Sequence, residues 1–156
     1  DTQLSVLESL LFNRELDRSA IPSGDPIANS YITSGFGGRA DPFGGGHQFH
    51  KGIDFEADVG DPVLAVADGV VSYSGVRSGY GNVVEVDHGN GYVTRYAHNS
   101  TLERQVGDLV RSGQEIAKAG SSGRSTGAHV HFEVWQDGAV VNPRKFLAVT
   151  SSGAHR

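Results

Sequence analysis

The stretch Gly127-Ala128-His129-Val130-His131-Phe132-Glu133-Val134-Trp135 alternates polar with apolar side chains. Read as a strand, its two-residue period places His129, His131 and Glu133 on one face and Val130, Phe132 and Val134 on the other. Upstream, His50-Lys51-Gly52-Ile53-Asp54-Phe55 repeats the pattern, with His50, Gly52 and Asp54 on one face and Ile53 and Phe55 turned to a core. The chain has no cysteine, so any metal must be held by histidine and carboxylate. His50, Asp54 and one histidine of the His-x-His pair make a three-ligand set with a vacant fourth position, the arrangement of a catalytic rather than a structural zinc site. Zinc in such a set lowers the pKa of a bound water toward ~7 and polarises a carbonyl, which points to amide hydrolysis. The other histidine of the pair stays near and unligated. His98, at the end of Thr94-Arg95-Tyr96-Ala97-His98, reaches the same pocket if its strand lies beside the other two. One free imidazole can then move a proton from water to the leaving nitrogen while the other hydrogen-bonds the oxyanion, and the spacing leaves open which does which.

These side chains need a rigid frame. The chain has 156 residues, 37% of them apolar, which suits one domain with a short extension. Its 22 glycines against 5 prolines favour turn-rich β structure. The predicted fold is mostly β, a small antiparallel sheet or sandwich with a short N-terminal helix. Strands are predicted at 31–34, 50–55, 62–67, 69–74, 82–87, 92–98, 115–119, 129–135 and 139–141. Asp87-His88-Gly89-Asn90-Gly91 and Asp137-Gly138 have the residues that close hairpins. Gly60-Asp61-Pro62-Val63 returns as Gly107-Asp108-Leu109-Val110, which reads as a common turn used twice.

Leu4, Leu7, Leu11 and Phe12 recur at helical spacing within residues 3–18, and Ile21 to Pro26 breaks that pattern as a linker. Residues 1–26 are therefore expected to be a helix and linker, 27–149 the main domain, and 150–156 a disordered tail. The loop Gly37 to Phe49 contains Gly44-Gly45-Gly46, is too glycine-rich for a regular element, and is placed over a groove. A second loop, Gly120 to Gly127, offers Ser121, Ser122, Ser125 and Thr126 to a peptide backbone. The net charge of -5 comes without a Lys/Arg cluster, so neither nucleic acid nor an anionic membrane is an expected partner. The chain begins at Asp1, with no charged-then-apolar leader and no apolar run near the ~20 residues of a bilayer span, and reads as a mature or trimmed fragment.

From about Ser34 to Pro143 the chain resembles the M23 peptidases of LytM or lysostaphin type, zinc endopeptidases of bacterial peptidoglycan. The resemblance rests on Ser34-Gly35-Phe36-Gly37-Gly38-Arg39, His50-Lys51-Gly52-Ile53-Asp54-Phe55, Tyr96-Ala97-His98, Gly120-Ser121-Ser122-Gly123 and His129-Val130-His131-Phe132-Glu133. It implies His50, Asp54 and His131 as ligands of Zn2+, His98 and His129 as the catalytic histidines, and a site in a groove between loops. It implies peptidoglycan stem peptides as substrate, cell-wall or divisome regulatory proteins as further partners, and a periplasmic, envelope or secreted location. Asn99 and Ala128 stand where the family often has Leu and Pro, without loss of a functional side chain. Relatives that cut glycyl-glycine bonds carry a tyrosine upstream of the first ligand, and Gly38 to His50 has none. Together with Arg39-Ala40-Asp41-Pro42-Phe43 this favours a D-alanyl-diaminopimelate cross-link.

The rival within the resemblance is a silent activator of wall amidases, since some members have lost ligands; all five positions are kept here. A biotinyl- or lipoyl-type carrier needs a lysine at a hairpin tip, and Lys51 and Lys118 fall inside predicted strands. His47, His88 and His155 are expected to be solvated. Glu133 reads equally as an orienter of a ligand or as a surface cross-strand partner, and Arg39 as a brace for its loop.

Overall fold

The computed structural model describes residues 21–40, 47–123 and 127–147. The predicted helix over 3–18 and the tail 150–156 lie outside them. Twelve strands follow in order: β1 (Ile32–Ser34), β2 (Gly37–Ala40), β3 (His47–His50), β4 (Ile53–Glu56), β5 (Pro62–Leu64), β6 (Gly69–Arg77), β7 (Gly81–Gly89), β8 (Tyr92–Leu102), β9 (Leu109–Val110), β10 (Glu115–Ala119), β11 (His129–Gln136) and β12 (Ala139–Val141). A 3-10 turn, Pro143–Phe146, closes the described chain.

Ten of these strands form one sheet, and its main path runs β1-β4-β11-β8-β7-β6-β9. Every pairing among the described residues is antiparallel; β6–β7, β7–β8 and β11–β12 are joined by turns of a few residues, whereas β4–β11 and β8–β11 pair across long stretches of chain. Asn90 and Gly91 at φ 50° and 84°, and Asp137 and Gly138 at 52° and 85°, make the two predicted hairpin turns. The repeated Gly-Asp corners share one geometry. Asp61 and Asp108 each take a backbone N–H three residues back on the side chain, at 2.9 and 2.8 Å, after a glycine at φ 97° or 96°.

The core lies on one face of the sheet. Ile53 and Phe55 of β4, Tyr96 of β8, and Val130, Phe132 and Val134 of β11 are all fully buried there. At about 25 cal/mol per Å2, such aromatic and branched side chains supply the main stabilisation of the fold.

Three expectations change. The glycine-rich segment 37–49 is not an irregular loop: β2 and β3 pair from Gly37↔His50 to Ala40↔His47, and its tip at 41–46 lies outside the described residues. Phe36 packs edge-on against Phe49 at 5.2 Å and pins the base of this hairpin. The predicted strand 50–55 is broken at Lys51 and Gly52, and Gly52 sits so close to the Phe132 carbonyl that a Cβ there would overlap it. Lys51 is thus an exposed link residue rather than a strand residue. The segment read as a linker is tied to the domain, with Ser23 N donating to Val66 O at 3.1 Å and Gly24 N to Phe146 O at 3.0 Å.

Candidate metal centre

Strand β11 is the middle of the site. Its register sets His131 beside Asp54 of β4 on one flank and beside Ala97 of β8 on the other. Side chains of one face project to a common side. A cleft of about 580 Å3 opens there, lined by His50, Asp54, His98, His129 and His131, the five predicted residues, together with Phe49, Lys51, Tyr80 and Glu133.

His50, Asp54 and His131 offer ligand atoms that all lie within 4.8 Å of one another. Asp54 Oδ1 is 2.7 Å from His131 Nδ1, and Asp54 Oδ2 is 3.4 Å from His50 Nε2. The far nitrogens are also engaged: His50 Nδ1 donates to Gly35 O at 2.7 Å and His131 Nε2 to Glu133 Oε2 at 2.8 Å. Two imidazole nitrogens and one carboxylate, each ring anchored at its other nitrogen, are a donor set that fits zinc.

The charges here depend on one another. Burial works against a charged His131, but the carboxylates of Asp54 and Glu133 outweigh it and push the ring up to about 9. Burial likewise raises Asp54, and hydrogen bonds with His131 and His50 overcome it, holding the carboxyl far below its usual range. Without an ion, His131 is therefore an imidazolium between two carboxylates.

His98 and His129 face this cluster from the side, with ring centroids 4.9 Å apart. His98 reaches the cleft through a bulge: between Asn82↔Asn99 and Val84↔Tyr96, β8 uses one more residue than β7. His98 takes the strain at φ 65°, left-handed and rare for a side chain with Cβ. Its Nδ1 donates to Ser122 O at 2.6 Å, and that of His129 to Gly127 O at 3.0 Å, so each ring is anchored through Nδ1. Burial, with the neighbouring His129 and His131, lowers His98 below the ordinary histidine value, so it is neutral near pH 7.

A profile of peptidase family M23 matches residues 48–143, more than half of the sequence. The chain belongs to peptidase family M23. The M23 domain is 44% identical over 119 residues to the DD-carboxypeptidase/endopeptidase Mpg of Neisseria meningitidis, covering 76% of this chain and 27% of that protein. It is 40% identical over 106 residues to the murein hydrolase activator NlpD of Escherichia coli, covering 67% and 28%. The chain thus spans about a quarter of the length of these curated relatives. A crystal structure of a zinc-containing peptidase from Vibrio cholerae superposes with a TM-score of 0.72 at 37% identity, covering 78% of this chain and 38% of that one.

Other site residues of this M23 domain depart from expectation. Glu133, read equally as an orienter of a ligand or a surface cross-strand partner, is fully buried with Oε2 2.8 Å from His131 Nε2, so only its surface placement fails. His88, expected in solvent, is 1% exposed; its Nδ1 donates to Asp68 O at 2.8 Å and its Nε2 lies 2.7 Å from Thr94 Oγ1. The cause is Gly69, where a Cβ would meet His88 Nδ1, so the missing side chain makes the room. Ser122, expected to meet substrate, is used inside the fold: its Oγ donates to Asn99 O at 2.6 Å and accepts from Asn82 N at 3.1 Å. Tyr80 was not anticipated, and only its place between Gly79 and Gly81 marked it. His155, Ser125, Thr126 and the side chains of Arg39 and His47 lie outside the described residues.

Proposed function

We propose that residues 27–149 form a zinc-dependent endopeptidase domain that hydrolyses peptide cross-links of bacterial peptidoglycan, of D-alanyl-diaminopimelate type, in the periplasm or cell envelope. The observation that carries this is the gathering of the His50, Asp54 and His131 ligand atoms within 4.8 Å, in a cleft that also holds His98 and His129. The similarity to the DD-carboxypeptidase/endopeptidase Mpg supports the peptidase reading.

His50 Nε2, the Asp54 carboxylate and His131 Nδ1 would hold the zinc. When bound, the ion supplies a Lewis acid for the scissile carbonyl. The chain's own groups carry the protons. His98, held neutral by burial, keeps a lone pair on Nε2 and is suited to take the proton of the attacking water. His129 Nε2 lies 3.9 Å from Asp54 Oδ1, beside the ligand cluster; since its Nδ1 already donates to Gly127 O, it would donate toward the oxygen on which charge develops only in its doubly protonated form. Glu133 keeps a proton on His131 Nε2 so that Nδ1 stays directed at the ligand cluster.

The similarity to NlpD favours a second reading, a domain that works without turnover by activating a wall amidase. Mass spectrometry of muropeptides released from purified walls separates the two. The hydrolase releases cross-link-cleaved products that disappear with chelator and return with zinc. Walls left intact by the zinc-loaded protein would refute the enzyme reading.

A further inference from the structure

Glu133 is 0% exposed, and its carboxylate meets four donors. Oε2 accepts from His131 Nε2 at 2.8 Å and from the Tyr80 hydroxyl at 2.9 Å. Oε1 accepts from Trp135 Nε1 at 2.8 Å and from Arg95 at 3.2 Å. An ionised carboxylate has about four lone-pair sites and nothing to donate, so it can accept from all four at once. Trp135 and Arg95 can only donate. The network therefore keeps His131 in the tautomer with its proton on Nε2, which turns Nδ1 toward Asp54 and the ligand cluster.

Tyr80 belongs to this network and to a second one. Its backbone carbonyl accepts from His98 N at 2.9 Å, at the bulge that aims His98 into the cleft. Its ring centroid is 5.8 Å from that of His131, and the Arg95 guanidinium lies 4.9 Å from it on the Tyr80 ring. The loop that carries it is seated tightly: Gly81, at φ 71°, packs on Ser122 and Gly123 with no space for a Cβ.

We propose that Tyr80 is a positioning residue that joins the two halves of the site. Its hydroxyl holds Glu133 against His131 Nε2 and so sets how tightly His50, Asp54 and His131 take a divalent ion; its carbonyl holds the strained backbone of His98. This rests on the metal reading proposed above.

The test is Tyr80→Phe in the full chain, which keeps the ring and the carbonyl and removes only the hydroxyl. Zinc affinity, measured by competition with a chromophoric chelator, and the visible absorption of the cobalt(II)-loaded protein report the centre without turnover. The variant is expected to bind zinc about tenfold more weakly, the lower end of the cost of losing a hydrogen-bond partner behind a ligand. Its cobalt band should shift as well. Tyr73→Phe is the control, because the Tyr73 hydroxyl bonds Val76 O at 2.6 Å and is not among the cleft residues; affinity and band should stay unchanged. A Tyr80→Phe protein that melts lower without metal, yet keeps the wild-type affinity and band, overturns the inference alone. A wild-type chain that binds neither ion overturns the metal reading and this inference together.

Discussion

His88 and His131 are both buried imidazoles of the same antiparallel sheet, at 1% and 7% exposure, and both have a partner at each ring nitrogen. His88 meets a carbonyl and a hydroxyl, and burial lowers its pKa. His131 meets two carboxylates, which outweigh the same burial and raise it to about 9. Burial alone therefore does not decide whether a histidine is inert or reactive. The charge of its partners does, because in a weakly polar interior the Coulomb term competes directly with desolvation.

The comparison is tested most severely by removing each ring. His131→Ala is expected to lose zinc and reduce wall hydrolysis to background, read by metal analysis and muropeptide release. His129→Ala should keep most of the metal and lose roughly 10²-fold or more in kcat, the scale of one proton-handling group; equal metal loss in both variants would remove the distinction between ligand and catalytic histidine. His88→Leu removes the donor to the Asp68 carbonyl and one of the two partners of the Thr94 hydroxyl, which keeps Tyr96, and should cost about 1–3 kcal/mol in urea unfolding. Its zinc affinity should match the wild type; a large change would mean that the two regions are coupled.

The smallest effect is a tilt of stability with pH in chelator-treated protein. His88 stays neutral in the fold while the unfolded chain takes up a proton as pH falls through about 6.5, so its contribution is full above that value and shrinks below it. His131 has the opposite sign: its contribution is full below about 6.5 and is lost as pH rises through about 9. Urea titrations across this range should show the acid limb flatten in His88→Leu and the alkaline limb flatten in His131→Ala. Zinc binding near pH 7.5 should release about one proton, from His131, measurable by calorimetry in buffers of different ionisation enthalpy.

Much of this was legible in the residues. Alternation in 129–135 marked β11 and its two faces, and Asn90-Gly91 and Asp137-Gly138 marked two hairpins, since both signals are local. The five histidine and aspartate positions of the cleft were named from their types and spacing and from the family motifs. Long-range contacts were not legible. The pairing of β2 with β3 depends on partners across a glycine tip, and the burial of His88 depends on a missing side chain at Gly69. Tyr80 carries no motif of its own, and its role comes from a hydroxyl contact across 53 residues.

Amino-acid type and two-residue periodicity sufficed to say which side chains had metal-binding chemistry and which strand face carried them, because a strand fixes side-chain direction locally. Convergence was a tertiary matter. The Asp54–His131 contact spans 77 residues of chain, and His98 enters only through a bulge that neighbouring strands hold at φ 65°. Protonation was tertiary too, since an imidazole takes its charge from whichever groups the fold brings to its two nitrogens.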